Sequence, residues 1–218
     1  MKLIVISNGR TSPAEINIVV RLFEEGLEIF HLRKPKSSKK DIEDYIRQIP
    51  EQYRNRIVLH SHHRMAAKFG CKGIHVGRRH RKKKMRLWFR LKTLRMRIPN
   101  MVLCRSFNRL SKLMDNEKDY DYVFLSPVFD SITKRGHTAG FSSRKLEKVL
   151  QGINVPVIAL GGVDATKVEE VHAMGFEGLA VWGALWENKG QELDIFREIQ
   201  AKIKALPKHA RAEEEIED

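Results

Sequence analysis

The sequence has few of the features that mark secreted, disulfide-stabilised or membrane-spanning proteins. Its 218 residues include only two cysteines, Cys71 and Cys104, which we interpret as reduced thiols because two thiols build no disulfide framework. No apolar run approaches the roughly 20 residues that a membrane-spanning helix requires. The segment Met1–Ser7 is too short for a signal peptide and lacks a cleavage pattern. These absences favour a cytoplasmic protein.

Acidic residues are missing from one long stretch. Residues 78–97 contain eleven lysines or arginines and no Asp or Glu, so they carry most of the formal net charge of +14. Four apolar residues of this stretch follow helical spacing: Leu87, Leu91, Leu94 and Ile98. That spacing favours a helix packed on the domain with a basic outer face. The alternative is a surface for nucleic acid or an anionic membrane, with Trp88 and Phe89 supplying stacking or insertion.

Two apolar runs of strand length occupy the C-terminal half, Val155–Val163 and Gly178–Ala184. Continuous apolar runs are typical of strands buried on both faces, as in parallel sheets. The first run contains Gly161-Gly162, and a helical pattern begins near Asp164. Adjacent glycines let the backbone approach a ligand closely, and a helix start adds partial positive charge. We therefore predict a phosphate site here, as after strands 7 and 8 of (β/α)8 barrels.

Upstream of these runs the sequence divides into six further β-α units, which predicts an α/β fold, a single (β/α)8 TIM barrel. The other strands are predicted at Lys2–Ser7, Ile29–Arg33, Arg56–His60, Gly73–Val76, Met101–Arg105 and Tyr122–Ser126. A doubly wound open sheet is disfavoured because Ser7–Arg10 has one glycine where that fold has a Gly-rich turn. We assign residues 1–206 to the barrel and residues 207–218 to a disordered charged tail.

The active site of such a barrel lies at the carboxyl ends of its strands. The residues predicted there are His31, Arg33, His60, His75, Ser106, Ser131, Thr133, Lys134, Gly161 and Gly162. They are cationic and rich in hydroxyls, and they include neither a Ser-His-Asp triad nor paired carboxylates. Such a set suits the binding of phosphates and the stabilisation of a departing diphosphate.

The histidines leave two other readings open. His75 lies within a strand, where a packed histidine is the alternative to a functional one. His60, His62 and His63 could bind a transition metal, since His60 and His62 would share a strand face, but spacing identifies no third ligand.

Five motifs in order resemble the thiamine phosphate synthase and TenI family. Strand 2 of that family ends in Gln-Leu-Arg-x-Lys, where this chain has His31-Leu-Arg-Lys-Pro35, and strand 4 reads Gly-(Val/Ile)-His-(Leu/Ile)-Gly, matched by Gly73-Ile-His-Val-Gly77. After strand 6 the family has Pro-(x)3-Thr-x-Thr-Lys, and Pro127–Lys134 follows it with Ser131 for the first Thr. The double glycine after strand 7 and the small residues of strand 8 also match. The resemblance covers roughly residues 2–205.

The resemblance implies that the chain couples a thiazole phosphate with hydroxymethylpyrimidine diphosphate in a dissociative reaction, giving thiamine phosphate and diphosphate. By motif position, Arg33, Lys134 and Ser106 would hold the diphosphate, and Ser131 and Thr133 would line the thiazole side. The backbone N–H groups of Gly162 and Gly183 would hold the thiazole phosphate. The remaining substrate-binding positions are His31, His60, His75 and Gly161. A homodimer is possible.

The chain departs from the family pattern at the metal site. The Asn-Asp pair after strand 3 is His60-Ser61, and a second metal carboxylate corresponds to His80. We therefore predict no protein ligand for a metal, and expect any Mg²⁺ to be carried by the diphosphate substrate. The Lys of the strand 2 motif is Pro35, with Lys34 and Lys36 beside it. Two alternatives stay open: a TenI-type thiazole tautomerase, whose catalytic His falls at Asn108, and a catalytically lapsed phosphate-binding or regulatory barrel.

Overall fold

Eight parallel strands form a closed barrel in the computed structural model, which describes residues 1–77, 84–114, 120–130 and 143–207. Each strand pairs with the next in the chain, and β8 closes the barrel on β1 with Leu3 opposite Leu179. The strands are β1 Lys2–Ile6, β2 Ile29–Leu32, β3 Ile57–Leu59, β4 Gly73–His75, β5 Val102–Phe107, β6 Tyr122–Leu125, β7 Val157–Leu160 and β8 Gly178–Val181. The predicted (β/α)8 barrel is confirmed.

Helices follow the strands around the outside of the barrel. They are α1 Pro13–Glu24, α2 Lys39–Gln48, α3 Glu51–Arg54, α4 Arg64–Phe69, α5 Lys84–Arg97, α6 Leu110–Met114, α7 Ser143–Gln151, α8 Val168–Ala173, α9 Gly183–Trp186 and α10 Glu192–Ala205, with a 3-10 turn at Ala165–Lys167. The single-turn helices α3 and α9 were not predicted, because four residues are too few for a helical period to be visible. None of the helices described is both long and apolar enough to cross a bilayer.

Local sequence signals account for several helix ends. The Ser12 hydroxyl accepts a hydrogen bond from the Glu15 N–H and Pro13 occupies the first turn of α1, a typical helix start. Ser38 and Asp41 form a reciprocal capping box at α2. At the end of α4, Gly70 adopts a left-handed φ of +63°.

The core has two layers separated by the barrel wall. Alternate strand residues point inward and fill the barrel: Ile4, Ile6, Ile29, Val58, Cys104, Tyr122, Phe124, Ile158 and Ala180. The intervening residues point outward and pack under the helices. Both cysteines are buried and unpaired, and burial raises the pKa of the Cys71 thiol to about 12, so it is not a reactive thiolate. The tail segment 208–218 lies outside the described residues.

Helix α5 is the whole of the described part of the basic stretch 78–97. Leu94 is buried, and Leu87, Leu91 and Ile98 pack against the outer core layer. The predicted helix with an apolar inner face packed on the barrel is therefore confirmed for Lys84–Arg97, and this helix is basic in composition. Residues 78–83 lie outside the described part.

Candidate active site

Three histidines from consecutive strands meet at the mouth of the barrel. His31 Nδ1 lies 2.8 Å from His60 Nε2, and His31 Nε2 lies 2.6 Å from the Tyr122 hydroxyl. The His60 and His75 rings stack with centroids 4.1 Å apart and planes inclined by 10°. His31 shares the inward-facing parity of Ile29, so it lies deeper in the barrel than His60.

This placement puts His31, a predicted substrate-binding residue, below the surface of the barrel mouth. Its side chain is fully buried, and both ring nitrogens already have hydrogen-bond partners. His60, which is half-buried, separates it from the mouth. His31 therefore orients His60 and connects it to Tyr122.

Burial keeps the inner two imidazoles neutral. The pKa values of His31 and His60 lie well below their usual range, chiefly because burial penalises the charged ring, and the neighbouring His75 adds to the effect. A neutral imidazole has one donor and one acceptor nitrogen. If the Tyr122 hydroxyl donates to His31, then His31 donates to His60, and the outer nitrogen of His60 carries a proton. If both hydrogen bonds run the other way, the same outer nitrogen of His60 is an acceptor. His60 can therefore offer a ligand either a hydrogen-bond donor or an acceptor.

His75 connects this cluster to a cleft beside β5. Its Nε2 lies 2.9 Å from the Ser106 hydroxyl, and both residues line the cleft. The packed-histidine reading of His75 is incomplete, because the ring is buried but faces the mouth. The other polar side chains around the cleft include Asn108, Arg109, Lys112 and Ser126.

Arg109 and Lys112 were missed by the sequence analysis. They follow β5 in the loop and first turn of α6, where they add positive charge beside Ser106. Their position after a barrel strand was the available signal, but no family motif includes them.

At the end of β2, Arg33 and Lys34 point in different directions. The Ser7 hydroxyl donates to the Arg33 carbonyl and accepts from the Arg33 N–H, and this holds the backbone while the Arg33 side chain stays exposed. Lys34 is buried, with Nζ 2.5 Å from a Glu15 carboxylate oxygen and 2.8 Å from the Asn8 carbonyl. Lys34 thus ties the β1–α1 loop to β2, and it cannot replace the cation missing at Pro35.

Gly161 and Gly162 form a turn with φ values of +93° and +68°. A Cβ on Gly162 would lie 2.3 Å from the Asp130 carbonyl oxygen and 2.6 Å from the Phe129 Cβ. The Phe129 N–H also donates to the Gly161 carbonyl. The glycines therefore let the loop after β6 approach the loop after β7, which is a structural reason for them beside the predicted phosphate role. Because of this crowding, any side chain introduced at Gly162 would disturb the fold as well as a phosphate site.

The segment predicted to carry Ser131, Thr133 and Lys134 lies outside the described residues, which stop at Asp130 on this loop. Gly183 begins α9 directly after β8, at the predicted mouth position. Of the predicted site residues, the structure thus brings Arg33, His60, His75 and Ser106 to the rim of the barrel. The double glycine lies in the loop after β7.

Comparison with known proteins identifies the family. The family model described as thiamine monophosphate synthase matches residues 3–185. The chain belongs to the thiamine monophosphate synthase family. Its relatives include the thiamine-phosphate synthases of Methanobrevibacter smithii, 22% identical over 91% of this chain and 95% of the relative, and of Pyrococcus abyssi, 25% identical over 85% and 86%.

The structural comparison agrees. The thiamine phosphate pyrophosphorylase of Bacteroides thetaiotaomicron superposes with a TM-score of 0.76 and 28% identity, covering 96% of this chain and all of that one. The corresponding Pyrococcus furiosus structure, with a TM-score of 0.72 and 19% identity, supports the fold alone.

The residues after β3 bear on whether this member of the thiamine monophosphate synthase family offers ligands to a metal. His62 has a φ of +50° and follows the end of β3, so it does not share a strand face with His60 as predicted. In the described part of the chain, no three His, Cys, Asp or Glu side chains are grouped to hold a metal ion. The donors present beside β3, an imidazole and the Ser61 hydroxyl, do not fit Mg²⁺, which prefers several charged oxygens.

Asn108 bears on the tautomerase alternative. It is exposed beside Ser106 on the cleft, where the TenI branch has its catalytic histidine by motif position. A carboxamide does not titrate near neutral pH and cannot act as the general base that an imidazole supplies. The relatives named above are thiamine-phosphate synthases, and the site does not favour the tautomerase reading.

Proposed function

We propose that this chain makes thiamine phosphate by joining thiazole phosphate to hydroxymethylpyrimidine diphosphate, with release of diphosphate. The observation that carries the proposal is membership of the thiamine monophosphate synthase family over residues 3–185. The cations and hydroxyls around the barrel mouth are consistent with a reaction whose leaving group is a diphosphate.

The diphosphate is assigned to the β2 and β5 side of the mouth. Arg33 presents an exposed guanidinium on a backbone held by Ser7, and Ser106 offers a hydroxyl oriented by His75. Arg109 and Lys112 extend this positive region, and Lys134 is assigned to the same group by its motif position. Negative charge on the leaving group grows as its bond breaks, so fixed cations there stabilise the transition state more than the bound substrate.

The thiazole phosphate is assigned to the loops after β7 and β8. In this assignment the Gly162 and Gly183 N–H groups bind the phosphate, and Ser131 and Thr133 contact the thiazole. The left-handed turn at Gly161-Gly162 carries no side chains in the loop after β7, which supports close approach of an anion to the backbone there.

The pyrimidine is assigned to the histidine cluster. His60 and His75 supply flat, hydrogen-bonding rings, and His31 with Tyr122 determines which nitrogen of His60 is the donor. Neutral imidazoles at His31 and His60 suit a ring that develops positive charge, because protonated imidazoles there would oppose it. Any Mg²⁺ would enter with the diphosphate, so calorimetric titration of the free protein with Mg²⁺ should detect no tight binding.

The test is turnover of the two precursors by purified protein, with thiamine phosphate as the product measured. Arg33→Ala should lower kcat by roughly 100-fold to 1000-fold, the range for deleting one preorganised donor. Lys36→Ala is the matched control, because Lys36 is also an exposed cation on this loop but belongs to no motif. Absence of product with wild-type protein would refute the proposed reaction. Equal kcat for Arg33→Ala and Lys36→Ala would refute the assigned role of Arg33 but not the proposed reaction.

A further inference from the structure

Helix α5 exposes apolar side chains on a helix that is otherwise basic. Five large apolar side chains are strongly exposed in the described part of the chain, and four belong to α5: Met85, Trp88, Phe89 and Met96. Met85, Phe89 and Met96 are 76%, 60% and 78% exposed. A soluble barrel gains nothing by leaving such side chains together in water, and grouped exposed apolar residues commonly mark an interaction site.

These side chains are arranged as a stripe on the outermost side of α5. With 3.6 residues per turn, Met85, Phe89 and Met96 lie on one side, opposite the Leu87, Leu91 and Leu94 face that packs on the barrel. We call these three residues the outer stripe. The outer stripe is therefore not a frayed edge of the core, because the core-facing side of the helix is already complete.

Basic side chains border the outer stripe on both sides. By the same helical geometry, Arg86, Arg90 and Arg97 lie along one border, and Lys92 and Arg95 lie along the other. The helix has six Lys or Arg and no acidic residue. None of the ion pairs among the described residues includes a basic side chain of α5.

We infer that α5 is a docking surface for an anionic lipid bilayer. The outer stripe would enter the boundary between headgroups and acyl chains, while the bordering arginines and lysines would contact anionic headgroups. Trp88 lies on the Lys92 side, with its ring 5.4 Å from Lys92 Nζ and edge-to-face with Phe89. An amphipathic ring beside a cation suits the interfacial layer.

Charge and chemistry favour this occupant over three others. A nucleic acid would use the cations and could stack on Phe89, but it offers no apolar partner to Met85 and Met96. A second copy of α5 would bring six more positive charges against the first. The third alternative is the acidic sequence 213–218 of this chain. It follows α10, which packs against α1 beside β8 and β1. Because β8 and β1 lie opposite β4 and β5 in the barrel, this sequence begins on the far side from α5.

Docking through α5 would leave the active site open. The helix connects β4 to β5 on the flank of the barrel, whereas His75 and Ser106 face the mouth at the strand ends. This inference does not depend on the proposed reaction, because the outer stripe contains no residue assigned to the site.

The test is co-sedimentation of the full chain with phosphatidylcholine vesicles, with and without phosphatidylglycerol. Wild type should bind only the anionic vesicles. The variant Met85→Ser/Phe89→Ser/Met96→Ser keeps every charge and should lose at least about tenfold in partitioning. The variant Arg86→Gln/Arg90→Gln/Arg97→Gln keeps the outer stripe and should lose on the order of a hundredfold. Circular dichroism melting checks that both variants are folded.

Several results would overturn the inference. The inference is wrong if wild type does not bind anionic vesicles. That holds whether the outer stripe is covered by a second copy, by the acidic C-terminal sequence or by nothing. Equal vesicle binding by the serine variant would show that charge alone acts. Retention of a duplex RNA or DNA by wild type and serine variant alike, without vesicle binding, would identify a nucleic-acid surface instead.

Discussion

The neutral histidine pair at the barrel mouth should make this fold sensitive to mild acid. His31 is fully buried, and the groups that face His31 and His60 are His75, Tyr122, His63 and the Arg33 cation. None of these favours a protonated imidazole. The pKa values of His31 and His60 are lowered well below the ordinary value by burial, so both stay neutral in the folded protein near pH 6.

The sign of the effect follows from where protons bind. In the unfolded chain both histidines take up protons near the ordinary pKa of about 6.5. The unfolded state then binds more protons than the folded state, and the free energy of unfolding falls as pH drops. Each histidine that stays neutral in the folded state lowers the free energy of unfolding by about 1.4 kcal/mol for every pH unit below its unfolded pKa. For two histidines, the loss between about pH 7.5 and about pH 5.5 is roughly 2–3 kcal/mol.

The variant His31→Gln/His60→Asn removes both titrating groups. It introduces residues that the family motifs have at these positions, and amides can still form hydrogen bonds in the cluster. Urea unfolding at the two pH values should show that wild type loses roughly 2–3 kcal/mol more than the double variant. His62→Asn is the control, because His62 is exposed and its φ of +50° suits asparagine. The control should show the pH dependence of wild type.

Equal losses in wild type and double variant would refute the reasoning, since His31 and His60 would then take up protons inside the fold. Histidine ring NMR signals provide a second readout. The signals of His31 and His60 should not titrate over the same pH range, and a midpoint near the ordinary value would contradict the neutral arrangement.

Two further predictions concern stability. Gly70→Ala should destabilise the fold by roughly 1–2 kcal/mol, the strain of a left-handed backbone. Gly162→Ala should cost several times more, because its φ is similar but its Cβ would also lie 2.3 Å from a backbone oxygen. Equal urea midpoints for the two variants would show that the loop containing Asp130 can move aside. Lys34→Met should cost about 3–5 kcal/mol by leaving Glu15 buried without its cation. Arg47→Ala breaks an exposed ion pair and should cost under about 1 kcal/mol. Similar losses of unfolding free energy for Lys34→Met and Arg47→Ala would show that burial does not make the Lys34–Glu15 pair more important for stability.

Much of the barrel could be read from local patterns. Strand length, apolar continuity and helix signals are properties of neighbouring residues, and they predicted eight β-α units, with β1 and β4 within one residue of their observed limits. Other boundaries differ by a few residues, because strand ends depend on which partners they reach. Positions at the ends of strands also indicated that Arg33, His60 and His75 would lie at the rim of the barrel.

Contacts between distant residues could not be read this way. Barrel closure and register decide that His31 meets His60 and Tyr122, and that Gly162 meets the loop after β6. Nothing local to Lys34 shows that it is buried against Glu15.

The same division holds at the surface. Sequence spacing by itself determined which side of α5 is apolar enough to pack on the barrel. Only the tertiary structure decided that Met85, Phe89 and Met96 remain uncovered on the other side, because exposure depends on what the rest of the fold places against a helix face.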